Sequence, residues 1–438
     1  MTTITMNNDA KVLMWGTVVG AVTWLDQREI GVFQYDPDFL HSGIQLSPLM
    51  MPLRAFPFEF PALPRNTFKG LPGMLADSLP DKYGNAIIDA WLASQGRTAA
   101  SFHPVERLCY IGSRGMGALE FEPATLGPAT KNNHLEVAKL VELASAILKE
   151  RNKLEGVFKG QNDKNVIEDI LRVGTSAGGA RAKAILAWNP QTDEFRSGQV
   201  DVSEGFEHWL MKFDGVTNNR DKELADPKGY GKIEYAYYLM AREAGIEMTS
   251  CRLHHEGGRS HFMTKRFDRT AKGGKRHMQS LGAMAHYDYN QATSYSYEQA
   301  IQIIKQLRLS RKDLEQQVLR AYFNIVTRNQ DDHVKNIAFM MNRKGRWSLA
   351  PAFDVTYAYD PQGQWTSQHQ MSINSKRDHF EKEDLIHLAQ MAGFKTKPAI
   401  NMIEKVLNTA KKWSEFAEQA GVSEKRIMQI QKTFRLHW

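Results

Sequence analysis

The segment RNQDDHVKN, beginning at Arg328, places two carboxylates, a histidine, a lysine and an asparagine between two apolar stretches. Asp331 and Asn336 have four residues between them, and Asp354 follows after two short apolar runs. Phosphoryl transfer from ATP needs a carboxylate that accepts a hydroxyl proton, and an amide oxygen and a second carboxylate that hold magnesium. The alternative is a turn in which Asp and Asn cap a helix or bond their own backbone.

Two segments upstream favour phosphoryl transfer. VGTSAGGARAKA contains Gly178 and Gly179, which let a backbone approach phosphates closely, although Gly-Gly between strands is more often a plain turn. Lys212 lies within the apolar run HWLMKF, where its charge needs a partner such as a phosphate. Glu234, at the start of the next helix, is the carboxylate expected to pair with this lysine, although a first-turn glutamate equally suits the surface.

These parts follow one another as glycine loop, lysine strand, helix, Asp…Asn loop and second carboxylate, which is the order found in kinases. Val318, Tyr322 and Ile325 recur at helical spacing before the polar loop, so a buried helix is expected there. The runs IAFMM and RWSLAP, joined by the turn NRKG, predict a hairpin after the loop. The helix and the hairpin together would return Asp354 to the side of Asp331.

The composition is that of an ordinary globular protein: of 438 residues, 42% are hydrophobic and 24% charged. No apolar stretch reaches the roughly 18 residues that span a bilayer, and the first residues lack the pattern of a secretory signal. The two cysteines, Cys109 and Cys251, argue against a disulfide framework, so we expect a cytoplasmic protein. A net charge of +7 suits phosphate-bearing ligands, an acidic partner or nucleic acid, without choosing among them.

The distribution of strand-like and helical patterns predicts an α+β fold. Short strands and loops with one helix, PDKYGNAIIDAWLASQG, are expected in a β-rich N-terminal subdomain over residues 1–128. Residues 129–266 should form a lobe that carries the glycine-rich loop and Lys212. Residues 267–438 are predicted to form an all-helical lobe, with YEQAIQIIKQLRL, RKDLEQQVLRAYFNIVTR and three more helices after Glu381. A cleft between the two lobes would hold the ligand.

The chain also resembles the HipA-type serine/threonine kinase toxins of bacterial toxin–antitoxin modules. The resemblance covers most of the chain and rests on segments such as SLPDKYGNAIIDAWL, IGSRGMGALEFEP, GTSAGGARAKAIL, TKRFDR, NQDDHVKNIAF, APAFDVTYAY and HQMSINSKRDHF. So many segments in one order are far more specific than any one of them. The resemblance implies a bilobal protein-kinase-like fold with an extra N-terminal subdomain, and an enzyme that uses ATP and Mg²⁺.

The resemblance implies roles for individual residues. Asp331 corresponds to the catalytic base, and Asn336 and Asp354 correspond to metal ligands. Contacts to ATP are implied for Ser176, Gly178, Gly179, Ala180, Lys212, Lys265, Phe267 and His333, with residues 265–267 as the hinge that meets adenine. Ser176 also occupies the position at which relatives are autophosphorylated, with Thr175 as the neighbouring candidate. A phosphate there would add about −1.5 to −2 charges to the loop that holds ATP.

The partners implied by the resemblance are a helix-turn-helix antitoxin, operator DNA reached indirectly through that antitoxin, and a protein substrate such as an aminoacyl-tRNA synthetase. No membrane partner is expected. Two other functions stay open: a small-molecule phosphotransferase on a related fold, and a catalytically silent corepressor bound to antitoxin and DNA. Lys212, Asp331, Asn336 and Asp354 argue against the corepressor, because a binding module has no need of all four.

Overall fold

The protein is described here by a computed structural model that covers residues 7–94, 96–125, 135–149, 181–198, 204–216 and 228–438. Helices and antiparallel sheets both occur in these ranges, which confirms the predicted mixed α and β content. None of the helices within them combines the length and the apolar character that crossing a membrane requires.

The N-terminal part contains a four-stranded antiparallel sheet. Its strands are β1 (Asp9–Met14), β2 (Thr17–Leu25), β3 (Ile30–Tyr35) and β4 (Leu119–Glu122). Their order in the sheet is β3-β2-β1-β4. Buried positions alternate along β1, because one face of the strand packs on the core. The strand predicted after the glycine-rich turn GSRGMG is confirmed as β4.

Five helices accompany this sheet, where the sequence predicted one. They are α1 (Pro37–Leu40), α2 (Arg65–Phe68), α3 (Gly73–Ala76), α4 (Lys82–Ser94) and α5 (Pro104–Ile111). The prediction was wrong because proline breaks strands but also starts helices. Pro37 is at the first turn of α1, and Pro64 and Pro72 immediately precede α2 and α3.

The middle part contains a five-stranded antiparallel sheet. Its strands are β5 (Lys183–Asn189), β6 (Glu194–Ser197), β7 (Glu207–Lys212), β8 (Cys251–Glu256) and β9 (Arg259–Lys265), and their order is β6-β5-β7-β9-β8. The helices α6 (Val137–Lys149) and α7 (Tyr230–Glu243) belong to the same part of the chain. Buried residues of α4, α5 and α6 form one apolar cluster with β5 and β7, so N-terminal helices help to cover this sheet.

The C-terminal part is mainly helical. Its helices are α8 (Leu281–Ala285), α9 (Tyr297–Gln306), α10 (Arg311–Thr327), α11 (Lys382–Met391), α12 (Thr396–Ala410), α13 (Trp413–Gln419) and α14 (Glu424–Gln431). Four helices follow Glu381 rather than three, because the chain turns at Lys411 and Lys412 between α12 and α13.

The prediction that this C-terminal part is all-helical was wrong. A three-stranded antiparallel sheet lies within it, formed by β10 (His277–Ser280), β11 (Ala338–Met341) and β12 (Trp347–Leu349). The pair β11 and β12 is the hairpin that the sequence predicted after the polar loop. The third strand, β10, is only four residues long, and its pairing partner β11 is far away in sequence. No local pattern therefore predicted this strand.

A buried ion cluster joins the N-terminal part to the segment that follows β9. Asp268 is fully buried and accepts hydrogen bonds from Arg266 at 2.8 and 2.6 Å and from Arg269 at 2.8 Å. It also accepts one from the backbone N–H of Gly117 at 2.8 Å, while Arg269 donates to the carbonyl groups of Gly115 and Gly117. We call these five residues the Asp268 cluster. It brings together the motifs GSRGMG and TKRFDR, which are distant in sequence.

Candidate active site

The polar loop is held at both of its ends. The helix α10 leads into it, with Val318, Tyr322 and Ile325 fully buried, as their spacing predicts. The helix ends at Arg328, which adopts a left-handed conformation with φ 60°. After the loop, a short 3₁₀ helix, Val334–Asn336, leads into β11. The loop is therefore fixed between a buried helix and a buried strand.

Asn336 closes the loop with its side chain. Its Nδ2 donates to the carbonyl oxygen of Asp331 at 2.8 Å, and its backbone N–H donates to that of His333 at 2.9 Å. The Nδ2 group of Asn336 therefore bonds the backbone, as expected if the loop were an ordinary turn. The other half of the amide, Oδ1, faces away from that carbonyl and is suited to meet a cation. Asp331, Asn336 and Asp354 line one small cavity, so the structure brings the three predicted residues together.

The carboxylate of Asp331 is partly exposed and is oriented by two neighbours. Gln370 Nε2 donates to Oδ1 of Asp331 at 2.9 Å, and His333 Nε2 lies 3.7 Å from the same oxygen. The ring of His333 is in turn 5.8 Å from that of Tyr289. A partly exposed carboxylate held in one orientation suits a group that must receive a proton from an incoming hydroxyl.

Asp332 has a different role from its neighbour, since its carboxylate is buried. It accepts hydrogen bonds from Tyr297 OH at 2.7 Å, from His369 Nδ1 at 2.8 Å and from the backbone N–H of Gln370 at 2.8 Å. Burial opposes the charge, but the contact with His369 and the other hydrogen bonds outweigh it and hold the pKa of Asp332 below its usual value. Asp332 is therefore a buried anchor of the loop, and it faces away from solvent.

Arg435, near the C-terminal end, completes this anchor. Its Nη1 lies 3.0 Å from His369 Nε2 and donates to the carbonyl oxygen of Ile325 at 2.7 Å, and its Nη2 donates to Asp378. Burial lowers the pKa of His369, although the neighbouring Asp332 opposes this effect. Because arginine only donates, His369 Nε2 accepts and Nδ1 carries the proton given to Asp332. No local pattern in the sequence predicts this chain of contacts.

We expect Arg435→Met to loosen the polar loop. The substitution removes hydrogen bonds to Ile325, His369 and Asp378, and should lower the free energy of unfolding by about 2 kcal/mol. Hydrogen exchange should rise at the backbone N–H of Gln370, which bonds to Asp332. Lys432→Met, at an exposed position, is the matched control. Unchanged exchange at Gln370 in the Arg435 variant would contradict the anchoring role.

The second half of the site is an ion group around Lys212. Lys212 Nζ lies 2.6 Å from Glu234 Oε1 and also contacts Asp354 Oδ1. Burial opposes the charge of Lys212, but Asp354 and Glu234 outweigh it and raise its pKa. Glu234 is only 1% exposed, so the predicted pairing is found and the surface alternative is excluded. Arg181 Nη1 contacts the other oxygen of Glu234 at 3.4 Å.

Asp354 has the properties of a metal ligand. Although burial opposes its ionisation, Lys212, Lys183 and His333 hold its pKa below the usual value, so it is a carboxylate near neutral pH. Its backbone is left-handed, with φ 52°, a conformation that is uncommon for a non-glycine residue and concentrates at functional sites. A carboxylate and an amide oxygen, Asp354 and Asn336, are hard ligands that fit Mg²⁺, which takes its remaining ligands from water and phosphates.

The predicted hinge, residues 265–267, begins at the end of β9. Lys265 is the last residue of the strand, and its Nζ lies 2.6 Å from Glu207 Oε1. Phe267 packs against Phe353, the residue before Asp354, with ring centroids 5.7 Å apart. Phe267 therefore lies at the edge of the group around Lys212, whereas the side chain of Lys265 points to the neighbouring strand β7.

A buried ion pair between Lys183 and Asp81 was missed by the sequence analysis. Lys183 Nζ lies 2.9 Å from Asp81 Oδ2, and both side chains are almost completely buried. Asp81 also accepts from the backbone N–H of Gly84 at 2.6 Å, so it starts α4. Burial raises the pKa of Asp81, an effect that Lys183 partly opposes. The pair links α4 to β5, the strand that follows the predicted glycine-rich loop.

That glycine-rich loop lies outside the described residues. The positions concerned are Thr175, Ser176, Gly178, Gly179 and Ala180. Their roles in ATP binding and autophosphorylation therefore stay predictions from the sequence and the resemblance.

Among solved structures, the chain is similar to one from the Shewanella oneidensis MR-1 toxin–antitoxin system, a complex of HipA, HipB and operator DNA. The match covers 97% of this chain and 95% of that chain, at 16% sequence identity and a TM-score of 0.67, so the two share a fold. The Helicobacter pylori proinflammatory kinase CtkA matches 52% of this chain and 88% of its own at 11% identity, with a TM-score of 0.32 that supports no argument.

Among curated proteins, none is significantly similar to the chain. Two family models match it: the HipA N-terminal domain over residues 10–122, and the HipA-like C-terminal domain over residues 175–414. The second of these spans more than half of the 438 residues. The chain belongs to the HipA family.

Proposed function

We propose that the protein is an ATP- and Mg²⁺-dependent serine/threonine protein kinase, the toxin of a toxin–antitoxin module. The observation that carries the proposal is the meeting of Lys212, Glu234 and Asp354 in one ion group next to Asp331 and Asn336. A lysine–glutamate pair, a carboxylate base and two oxygen ligands are the parts of a kinase site. In this proposal the five-stranded sheet and the helical part are the two lobes of a kinase-like fold.

Asp331 is the proposed catalytic base. Its partly exposed carboxylate accepts the proton of a serine or threonine hydroxyl while Gln370 keeps it oriented through a hydrogen bond of 2.9 Å. Asp332 does not share this task, because its oxygens are occupied by Tyr297, His369 and the backbone of Gln370. The proton is thus taken up at Oδ1 or Oδ2 of Asp331 alone.

The remaining residues bind the nucleotide. Lys212, positioned by Glu234, attracts phosphate oxygens through its charge. Asn336 and Asp354 would hold Mg²⁺, which when bound neutralises phosphate charge and orients the leaving group. Phe267 and the neighbouring apolar side chains Met340, Ala350 and Phe353 form a packed cluster beside Asp354, which suits contact with a purine ring.

The proposed partners follow from family membership. The Shewanella oneidensis HipA was solved together with HipB and operator DNA, which supports an antitoxin that contacts DNA as the partner of this chain. A translation protein such as an aminoacyl-tRNA synthetase is the proposed substrate, as the resemblance implies. Binding to operator DNA is proposed to run through the antitoxin.

Autophosphorylation provides the first test. We expect the chain incubated with Mg²⁺ and ATP to gain one phosphate, located at Ser176, because this residue lies in the predicted phosphate-binding loop. Intact-protein mass spectrometry followed by peptide mapping measures the change. Ser176→Ala should abolish the gain, and Thr175→Ala should retain it.

The outcomes of this test are distinguishable. A chain that binds ATP but gains no phosphate would exclude autophosphorylation at Ser176, and transfer to other proteins would then have to be measured separately. A chain that is shown to be unphosphorylated and fails to bind Mg²⁺ and ATP would contradict the kinase proposal. Phosphate mapped to Thr175 would move the switch by one residue.

A further inference from the structure

A small cavity is lined by residues of both the polar loop and α10. Its volume is about 30 Å³, and its walls include Asp331, Asn336 and Asp354. The walls also include Gln317 and Arg320, two residues of α10 that are one helical turn apart. The cavity therefore adjoins both the helix that carries the loop and the residues proposed to act on ATP.

The walls of this cavity carry buried polar atoms that have no partner within the described part of the chain. Gln317 is 1% exposed, and neither its Nε2 nor its Oε1 is hydrogen-bonded. Arg320 donates through Nη2 to the carbonyl oxygen of Ala350 at 2.7 Å, but its Nε has no acceptor. Asn329, also in the wall, has an Oδ1 without a donor. Such atoms are rare in folded proteins, since each costs as much as the hydrogen bond it lacks.

The charges and polar atoms of the cavity walls indicate whether a cation, an anion or water can bind there. The buried guanidinium of Arg320 disfavours a cation next to Gln317, which is not among the proposed Mg²⁺ ligands Asn336 and Asp354. The carboxylates of Asp331 and Asp354 disfavour an anion. Water both donates and accepts, so it can satisfy Gln317 Oε1 and Asn329 Oδ1 as well as Arg320 Nε. A volume of about 30 Å³ holds one or two water molecules.

We propose that this cavity is a hydration site, in which one or two ordered water molecules link α10 to the catalytic loop. Gln317 is then a positioning residue: it acts through the water to hold Asp331 and Asn336 where proton acceptance and metal binding need them. The hydration itself is independent of the proposed kinase function, whereas the effect on catalysis rests on it.

The test compares the same substitution at two neighbouring glutamines. Gln317→Met keeps the volume of the side chain and removes both polar atoms that face the cavity. Gln316→Met is the matched control, because Gln316 is bonded to Glu247 N–H at 2.8 Å and to Gly245 O at 2.9 Å on another face of the helix. High-resolution crystal structures of the full chain and of both variants show the solvent in the cavity.

We expect ordered water within hydrogen-bond distance of Gln317 in the unmodified chain and in Gln316→Met, and less of it in Gln317→Met. The kcat for phosphoryl transfer should fall about tenfold in Gln317→Met with an unchanged KM for ATP, and should stay unchanged in the control.

A dry cavity, or a Gln317 side chain bonded to protein instead, would overturn the hydration site. Loss of water without any change in kcat would overturn the positioning role. Because the solvent is observed directly, an inactive protein with a hydrated cavity would refute the kinase function and leave the hydration site standing.

Discussion

Replacement of Asp331 by asparagine should reduce phosphoryl transfer by about 10³-fold while leaving the affinity for ATP nearly unchanged. The asparagine can still accept the hydrogen bond of Gln370, so the loop should keep its geometry, but it cannot take up a proton. Transfer of labelled phosphate to protein measures the rate, and calorimetric titration with Mg²⁺ and ATP measures the affinity.

Asp360→Asn is the matched control for this prediction. Asp360 is a loop aspartate whose Oδ1 accepts a local hydrogen bond from the backbone N–H of Gln362 at 2.9 Å. Its replacement should leave the transfer rate unchanged. An Asp331→Asn variant that transfers phosphate at the rate of the unmodified chain would show that another group accepts the proton.

The largest effect on stability is expected at Asp268. Asp268→Asn leaves two buried guanidinium groups, those of Arg266 and Arg269, without their carboxylate. We expect the free energy of unfolding to fall by about 3–5 kcal/mol, because a buried ion pair that loses one partner leaves an uncompensated charge. Urea-induced unfolding, followed by tryptophan fluorescence, measures the change.

Glu59→Gln breaks an exposed ion pair with Arg28 and should leave the unfolding midpoint unchanged. The pH dependence provides a second check. Although burial opposes it, the two arginines hold the pKa of Asp268 far below its value in the unfolded chain. Its contribution to stability is therefore present above the unfolded pKa near 4 and is lost as the pH falls through the folded pKa. The variant should show a smaller loss of stability on acidification; an equal loss would contradict the prediction.

The sequence predicted which polar side chains lie together, but not the contacts that support them. Asp331, Asn336, Lys212 and Asp354 were readable because their residue types, their order and the hydrophobic spacing around them are local features. Glu234 was identified in the same way, as the first carboxylate of the following helix, and the structure places it against Lys212. The structure also excludes the alternative that Glu234 is a surface residue, because its side chain is buried.

The supporting residues carry no local signature. His369 and Gln370 reach Asp332 from 37 and 38 residues away. Arg435 reaches Ile325 from 110 residues away, and Asp81 reaches Lys183 from the start of α4. Tertiary contacts of this kind depend on how elements pack, which periodicity does not encode. The same reason explains why β10 was missed, because a four-residue strand is stabilised by its neighbour more than by its own sequence.

The late position of Arg435 in the chain has a consequence for the timing of synthesis. Its guanidinium bonds to Ile325 O, 110 residues earlier, and to His369, 66 residues earlier. At about 5–20 residues per second, a ribosome needs on the order of ten seconds to pass from the end of α10 to this arginine. A nascent chain therefore carries Asp331 in a loop that lacks its anchor. In the proposed kinase, this order of assembly leaves the catalytic base without its anchor until translation has passed Arg435.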